Sequence, residues 1–143
     1  EMRDAVLVEC EDADALIMAA AVADWHPSTA VDQKIKKGSS DTLTVEMTRA
    51  PDILADVEVE GLLKVGFAAE SEDLLANAEA KLISKGLGLI AANDITAPDG
   101  GFASDTNRIL ILDREGVVEE VPLMSKYAIG HRILDRMVPL MQR

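Results

Sequence analysis

The chain has 143 residues, enough for one domain with a real hydrophobic core. Apolar residues make up 48%, charged residues 28% and aromatic residues 3%, a globular composition that excludes a disordered tail. With 26 Asp and Glu against 14 Lys and Arg the formal charge is -12, and a field of that sign repels phosphate backbones, which argues against nucleic acid as a partner.

Residues 2 to 11 read as a short helix with Met2, Ala5, Val6 and Val8 on its apolar side. Cys10 falls in it as a buried small hydrophobe. One thiol builds neither a disulfide framework nor a cysteine zinc site, and it points to a reducing cytoplasm. The uninterrupted run Ala15 to Ala21 follows, as expected of a strand buried on both faces. Residues 26 to 41, with Pro27, Gly38, Ser39 and Ser40, read as a long loop. Thr42 to Thr48 alternates, with Leu43, Val45 and Met47 on one side, as a half-buried strand does. Pro51 and Asp52 then suit a helix start.

Leu63 to Phe67 is the next strand candidate. Ser71 is placed to cap a helix whose stripe is Leu74, Leu75, Ala78 and Leu82, with Lys81 and Lys85 in its last turn and Gly86 ending it. Leu87 to Ala92 is another buried strand. A loop with Pro98, Gly100 and Gly101 leads to strands Arg108 to Asp113 and Val117 to Val121, joined by the hairpin signal Arg114-Glu115-Gly116. Ser125 caps a final helix with Ile129, Ile133, Leu134, Met137 and Val138 on its apolar side.

This alternation predicts an α/β fold, a Rossmann-like three-layer sandwich whose mainly parallel sheet ends in an antiparallel hairpin. A complete domain of that kind opens with a strand, a Gly-rich turn and a helix. No such turn is present, so the first unit is expected upstream of residue 1. The opening Glu1-Met2-Arg3-Asp4, with no initiator methionine at position 1 and no basic region before an apolar one, agrees with a piece of a longer chain and shows no signal peptide. No apolar run reaches the roughly 18 residues a membrane span needs, so a membrane is not expected as a partner.

In open α/β sheets ligands bind beyond the carboxyl ends of the strands. Three predicted strands end in polar or aromatic residues: Val22-Ala23-Asp24-Trp25-His26-Pro27, Phe67-Ala68-Ala69-Glu70 and Asn93-Asp94. Either these converge on one crevice, or they are polar because loops begin there. Lys34, Lys36 and Lys37 lie within four residues of a glycine-containing loop. Such a cluster either closes over an anion or is a solvated charge run. Lys81 and Lys85 share a helix face and serve either an anion or the helix C-terminus. The Pro51 to Leu54 turn offers backbone N–H groups to a ligand, or is an ordinary helix start. Trp25 either walls a pocket or belongs to the core. His26 and His131 lack metal-ligand spacing, and no metal site is expected. No G-x-S-x-G elbow, Walker A loop or G-x-G-x-x-G is present, which argues against a serine hydrolase, a P-loop NTPase and a dinucleotide-dependent dehydrogenase.

Taken in order, the segments Ala19 to Trp25, Lys34 to Lys37, Pro51 to Leu54, Val65 to Glu70, Lys81 with Lys85, Ala92 to Ile95, and Gly101-Phe102 leading to Ser104, Asp105 and Asn107 resemble the phosphopantothenoylcysteine synthetase domain. In bacteria that domain is usually the C-terminal half of a bifunctional coenzyme A biosynthesis flavoprotein, and the resemblance covers nearly all of residues 1–143. It implies CTP-dependent ligation of 4′-phosphopantothenate to cysteine through an acyl-cytidylate. Carried over by motif, Asp24, Lys34, Pro51, Asp52, Ile53, Leu54, Phe67, Lys81 and Lys85 are nucleotide-binding positions. Lys34 is then also the catalytic lysine of a mobile loop. Mg2+ accompanies the CTP, and FMN belongs only to a decarboxylase half absent from this chain. The family's Gly-rich opening and its active-site asparagine are absent as well. The resemblance also implies a homodimer, with the lysine loop and hairpin near the partner subunit. Two readings compete with the ligase: a non-catalytic nucleotide-binding or dimerisation fragment of the same domain, and the dehydrogenase disfavoured above.

Overall fold

The computed structural model describes residues 1–37, 41–96 and 104–142. The expected features at Gly38 to Ser40, at Pro98, Gly100 and Gly101, and at Phe102 lie outside those residues. In chain order the elements are α1 (Met2–Glu9), β1 (Ala15–Met18), β2 (Trp25–Pro27), β3 (Met47–Arg49), α2 (Ile53–Asp56), β4 (Leu63–Glu70), α3 (Leu74–Ser84), β5 (Leu89–Asp94), β6 (Thr106–Asp113), β7 (Gly116–Ser125) and α4 (Lys126–Met141). They fall into two compact units: residues Ala20–Asp52, and the remainder of the chain on either side of them.

The larger unit is built on a five-stranded sheet of order β1-β4-β5-β6-β7. β1, β4 and β5 run parallel, and β6 and β7 add antiparallel to them. β5 sits in the middle, and its run Leu89-Ile90-Ala91-Ala92 is buried throughout. Successive side chains point to opposite faces. Ile90 and Ala92 therefore join Ala78, Leu82 and Leu112 in a core that also takes Leu54 of α2. Leu89 and Ala91 join Ile129, Ile133 and Met137 of α4 on the other side. Helices on both faces of the sheet make three layers, as the alternating sequence predicted. Burying a Leu or Ile contributes about 1.5–3 kcal/mol each, and Leu87, Leu89, Ile90, Ile111 and Leu112 are all fully enclosed.

Local chemistry explains where the elements stop. Ser125 Oγ accepts a hydrogen bond from the Ala128 N–H at 3.2 Å and starts α4, as its N-cap position predicted. α3 ends in a Schellman motif: the Gly86 N–H donates to Ile83 O at 3.1 Å and the Leu87 N–H to Leu82 O at 2.9 Å. That geometry requires the left-handed backbone of Gly86, φ +61°. Asp113 pairs with Gly116 across the two-residue hairpin turn Arg114-Glu115. At Gly66 in β4 an added Cβ would lie 2.6 Å from Leu87 Cδ1, so a side chain there would have to displace the buried Leu87 side chain.

Several sequence expectations are corrected. The run Ala15 to Ala21 is not buried on both faces: only four residues form β1, which pairs with β4 alone, and Ile17 is 44% exposed. An edge position explains this, because a strand with one neighbour is covered less than a central one. β4 continues three residues past Phe67, and β5 runs through Asn93 and Asp94, so the polar residues expected after these strands are their last residues. The N-cap of α3 is Asp73, in left-handed backbone at φ 47°, and not Ser71. Leu75 is exposed where the stripe predicted burial, as are Leu134 and Val138 on α4. The two ends of the helix stripes lie beyond the width each helix buries against the sheet.

The smaller unit holds a two-stranded antiparallel ribbon in which Trp25 pairs with Arg49, His26 with Thr48 and Pro27 with Met47. The Arg49 guanidinium lies 5.9 Å over the Trp25 ring. The alternating segment Thr42 to Thr48 is not a half-buried strand. Only its end pairs, and Leu43, Val45 and Met47 are exposed. A two-stranded ribbon offers its alternating side chains no layer to pack against.

Candidate functional site

In the larger unit β4 and β5 end together, with Ala69 beside Asn93 and Glu70 beside Asp94. These carboxyl ends are where an α/β sheet presents ligand-binding groups. Asp94 Oδ1 accepts from the Thr96 N–H at 2.7 Å and the Thr96 hydroxyl at 2.6 Å, which turns the chain away from the sheet. The Ile95 N–H donates to Glu70 O at 3.0 Å and continues the pairing past the strand tips.

Lys81 reaches this edge although it lies in the third turn of α3. Side chains on a helix lean toward its N-terminus, and α3 runs back from the end of β4. The Lys81 ammonium forms an ion pair with Glu70 Oε1. The Asn77 amide, one turn earlier on the same face, donates to Glu70 Oε2 at 3.2 Å and to Glu72 O at 2.9 Å. The Glu70 side chain is only 14% exposed. Lys85 is the C-cap of α3, half-buried and about 6 Å farther along the helix axis. Phe67 is 39% exposed and shares its strand face with Val65, the face opposite that of Glu70.

The Pro51 to Leu54 segment differs from its expected form. The helix is a single turn, Ile53–Asp56, and Pro51 and Asp52 precede it as exposed residues. Ile53 and Leu54 are core side chains at 6% and 9% exposure, which leaves their main chain as the part that can meet a ligand. Lys64 Nζ donates to Leu54 O at 3.0 Å and to Val57 O at 2.9 Å, so it satisfies carbonyls at the end of this turn.

In the smaller unit the Ala50 N–H donates to Asp24 O at 2.8 Å, which brings the backbone of Asp24 next to the start of Pro51-Asp52 at the base of the ribbon. Lys34, Lys36 and Lys37 are exposed in a stretch without regular structure. Trp25, half exposed at 54%, is not a core residue. Cys10 is buried, just past the end of α1.

A cleft of about 320 Å³ opens at the amino ends of β4 and β5, lined by Gly61, Lys64, Gly86, Asp113, Arg114 and Leu140. It lies at the other end of the sheet from Glu70 and Asp94. Its cations are engaged on the main chain: Lys64 as above, and Arg114 through an Nε–H donated to Leu87 O at 3.1 Å. Among the described residues no group of three or more His, Cys, Asp or Glu side chains is placed to hold a metal ion. Among the described residues no helix is long and apolar enough to cross a membrane.

In the sequence Glu70 reads as a polar strand end and as the close of the Val65 to Glu70 motif, and Asn77 is not singled out. The signal was the spacing of Asn77 and Lys81, four residues apart on one face of α3 and therefore able to share one acceptor.

The chain is similar to known proteins. The chain is 40% identical over 142 residues to the coenzyme A biosynthesis bifunctional protein CoaBC of Bacillus subtilis (strain 168), covering 98% of this chain and 35% of that protein. It is 35% identical over 143 residues to a cysteine/cysteine sulfinic acid decarboxylase of an unknown prokaryotic organism, covering 98% of this chain and 40% of the relative. The chain thus spans little more than a third of the length of these curated relatives. The crystal structure of the C-terminal domain of CoaBC superposes with a TM-score of 0.75 at 27% identity, covering 99% of this chain and 61% of that one. The family model of the DNA/pantothenate metabolism flavoprotein C-terminal domain matches residues 1–140, and the chain belongs to that family.

Proposed function

We propose that this chain is the nucleotide-binding part of a phosphopantothenate–cysteine ligase, acting in coenzyme A biosynthesis. The observation that carries the reading is the family match over residues 1–140, within which the ordered motifs fall. In the reaction a carboxylate oxygen of 4′-phosphopantothenate attacks the α-phosphorus of CTP. The bond to the β-phosphate breaks and pyrophosphate leaves, giving an acyl-cytidylate. The cysteine amine then attacks the acyl carbon, CMP leaves, and the amine loses a proton as the amide forms.

An acid and a triphosphate repel one another, so cations must offset their charge before attack. Lys34 takes that role at the reacting phosphate, and Lys81 and Lys85 at the nucleotide's phosphate tail. Asp24 and the Pro51-Asp52-Ile53-Leu54 main chain serve the base or ribose, and Phe67 packs against the nucleotide. Mg2+ travels with the CTP. The reaction needs no protein nucleophile, which fits a chain without a Ser-centred elbow. The working enzyme is a cytoplasmic homodimer.

Titration of the protein with CTP, ATP and NADH in the presence of magnesium tests the reading. CTP binding with amide formation from 4′-phosphopantothenate and cysteine supports it. CTP binding without product reduces the chain to a binding fragment. NADH binding without CTP binding refutes it.

A further inference from the structure

We propose that Glu70 is the positioning residue of Lys81, fixing its ammonium at the carboxyl edge of β4 for an anionic ligand. This rests on the reading of Lys81 as a nucleotide-binding lysine and adds to it a residue that contacts no substrate.

An ammonium on a four-carbon stem has three donors and many rotamers, and a ligand that captures it must immobilise it. In this structure the immobilisation precedes the ligand. Glu70 stands on the last residue of a central strand whose backbone is fixed by pairing with β5 and by the Ile95 N–H. Its own carboxylate is oriented from a second direction, because the Asn77 amide holds Oε2 and leaves Oε1 to Lys81. Asn77 is in turn held by Glu72 O. The chain of contacts thus runs from rigid strand to carboxylate to ammonium. Exposure follows the same order, with the Glu70 side chain at 14% and that of Lys81 at 40%. The carboxylate is the enclosed partner and the ammonium the accessible one. Glu70 engages one of the three ammonium protons, so an arriving phosphate oxygen can share the cation without displacing the carboxylate. The partial exposure of Lys81 limits what the pair contributes to stability, so placement of the cation is its larger consequence.

The test uses the full-length protein that contains this chain, with CTP as the varied substrate. Glu70→Asp keeps the charge but withdraws the oxygen by one methylene. Glu70→Gln keeps one oxygen at the same reach, removes the charge and turns an NH2 group toward either Asn77 or Lys81. Positioning predicts that Glu70→Asp raises the KM for CTP about fivefold, equivalent to about 1 kcal/mol, with kcat changed less than twofold. Glu70→Gln gives a rise as well, because its NH2 group breaks one of the two contacts that hold the carboxylate. An unchanged or lowered KM in both variants overturns the inference, because loss of the carboxylate charge alone favours an anionic ligand. Lys81→Met separates the layers of the argument. If it raises KM while Glu70→Asp does not, Glu70 has no positioning role and the ligase reading stands. If Lys81→Met itself leaves KM unchanged, the assignment of Lys81 fails and takes this inference with it.

Discussion

Glu119 anchors α4 to the edge of the sheet, and its replacement by Gln gives a stability change with a defined pH dependence. The carboxylate on β7 is only 11% exposed and meets two arginines one turn apart on α4. Arg132 Nε donates to Oε1 at 2.8 Å, a second Arg132 nitrogen donates to the same oxygen, and Arg136 Nε donates to Oε2 at 2.8 Å. Glu119→Gln keeps the shape but turns an NH2 group toward guanidinium donors, leaving at least one of them unmatched at the nearly buried position of Glu119. A lost charged hydrogen bond costs about 1.5–3 kcal/mol, and the partial exposure of both arginines argues for the low end. We expect about 1.5 kcal/mol, or a fall of about 5 °C in the unfolding midpoint at neutral pH.

The hydrogen bond from Arg132, followed by that from Arg136, holds the Glu119 carboxyl below the usual glutamate range against an opposing push from burial. A carboxylate whose folded pKa is lowered stabilises fully above its unfolded value, about 4.3, and that stabilisation is lost as pH falls through the folded value. Urea midpoints measured from about pH 7 downward should therefore show a constant gap between wild type and Glu119→Gln to about pH 5, narrowing below about pH 4. Equal midpoints at neutral pH would refute the anchoring argument. A gap that stays constant to the lowest pH would show that packing, and not charge, accounts for the loss.

Three further outcomes can be checked. Gly86→Ala forces a side chain into left-handed backbone and should lower stability by about 1 kcal/mol, measured by denaturant titration. Gly66→Ala drives a methyl into the Leu87 side chain at the base of the core and should cost about 1–3 kcal/mol, read as a lowered thermal midpoint. With Lys34 in its proposed role at the reacting phosphate, Lys34→Gln should lose roughly a hundredfold in ligase turnover, with a much smaller change in CTP affinity, because the charge to be offset grows toward the transition state. Equal losses in both quantities would count against that role.

Where local chemistry decides, the sequence was legible. The apolar run of β5, the Asp113 to Gly116 turn, the Ser125 cap and the Gly86 stop each depend on residues within a few positions of one another. What escaped depends on distant partners. The same apolar pattern makes β5 central and β1 an edge, and only the number of neighbouring strands separates them. Thr42 to Thr48 has a strand's alternation but no layer to bury it. Lys64 reads as a polar interruption in a strand, and its role as donor to Leu54 O and Val57 O appears only when β4 lies beside α2. For the candidate site, Lys81 and the strand tips were legible in the sequence. The Glu70–Lys81 pair came from the length of β4 and the lean of α3 side chains.

The hydrogen bond from Ala50 to Asp24 has a consequence for how this topology is reached. β1 must find β4 across a long intervening stretch, and parallel pairing over such a separation is entropically slow. Once the ribbon zips, the path between Met18 and Ile53 bypasses most of that stretch and shrinks about fourfold, which lowers the closure penalty by about 1.2 kcal/mol. The ribbon thus acts as a clasp at the neck of an excursion.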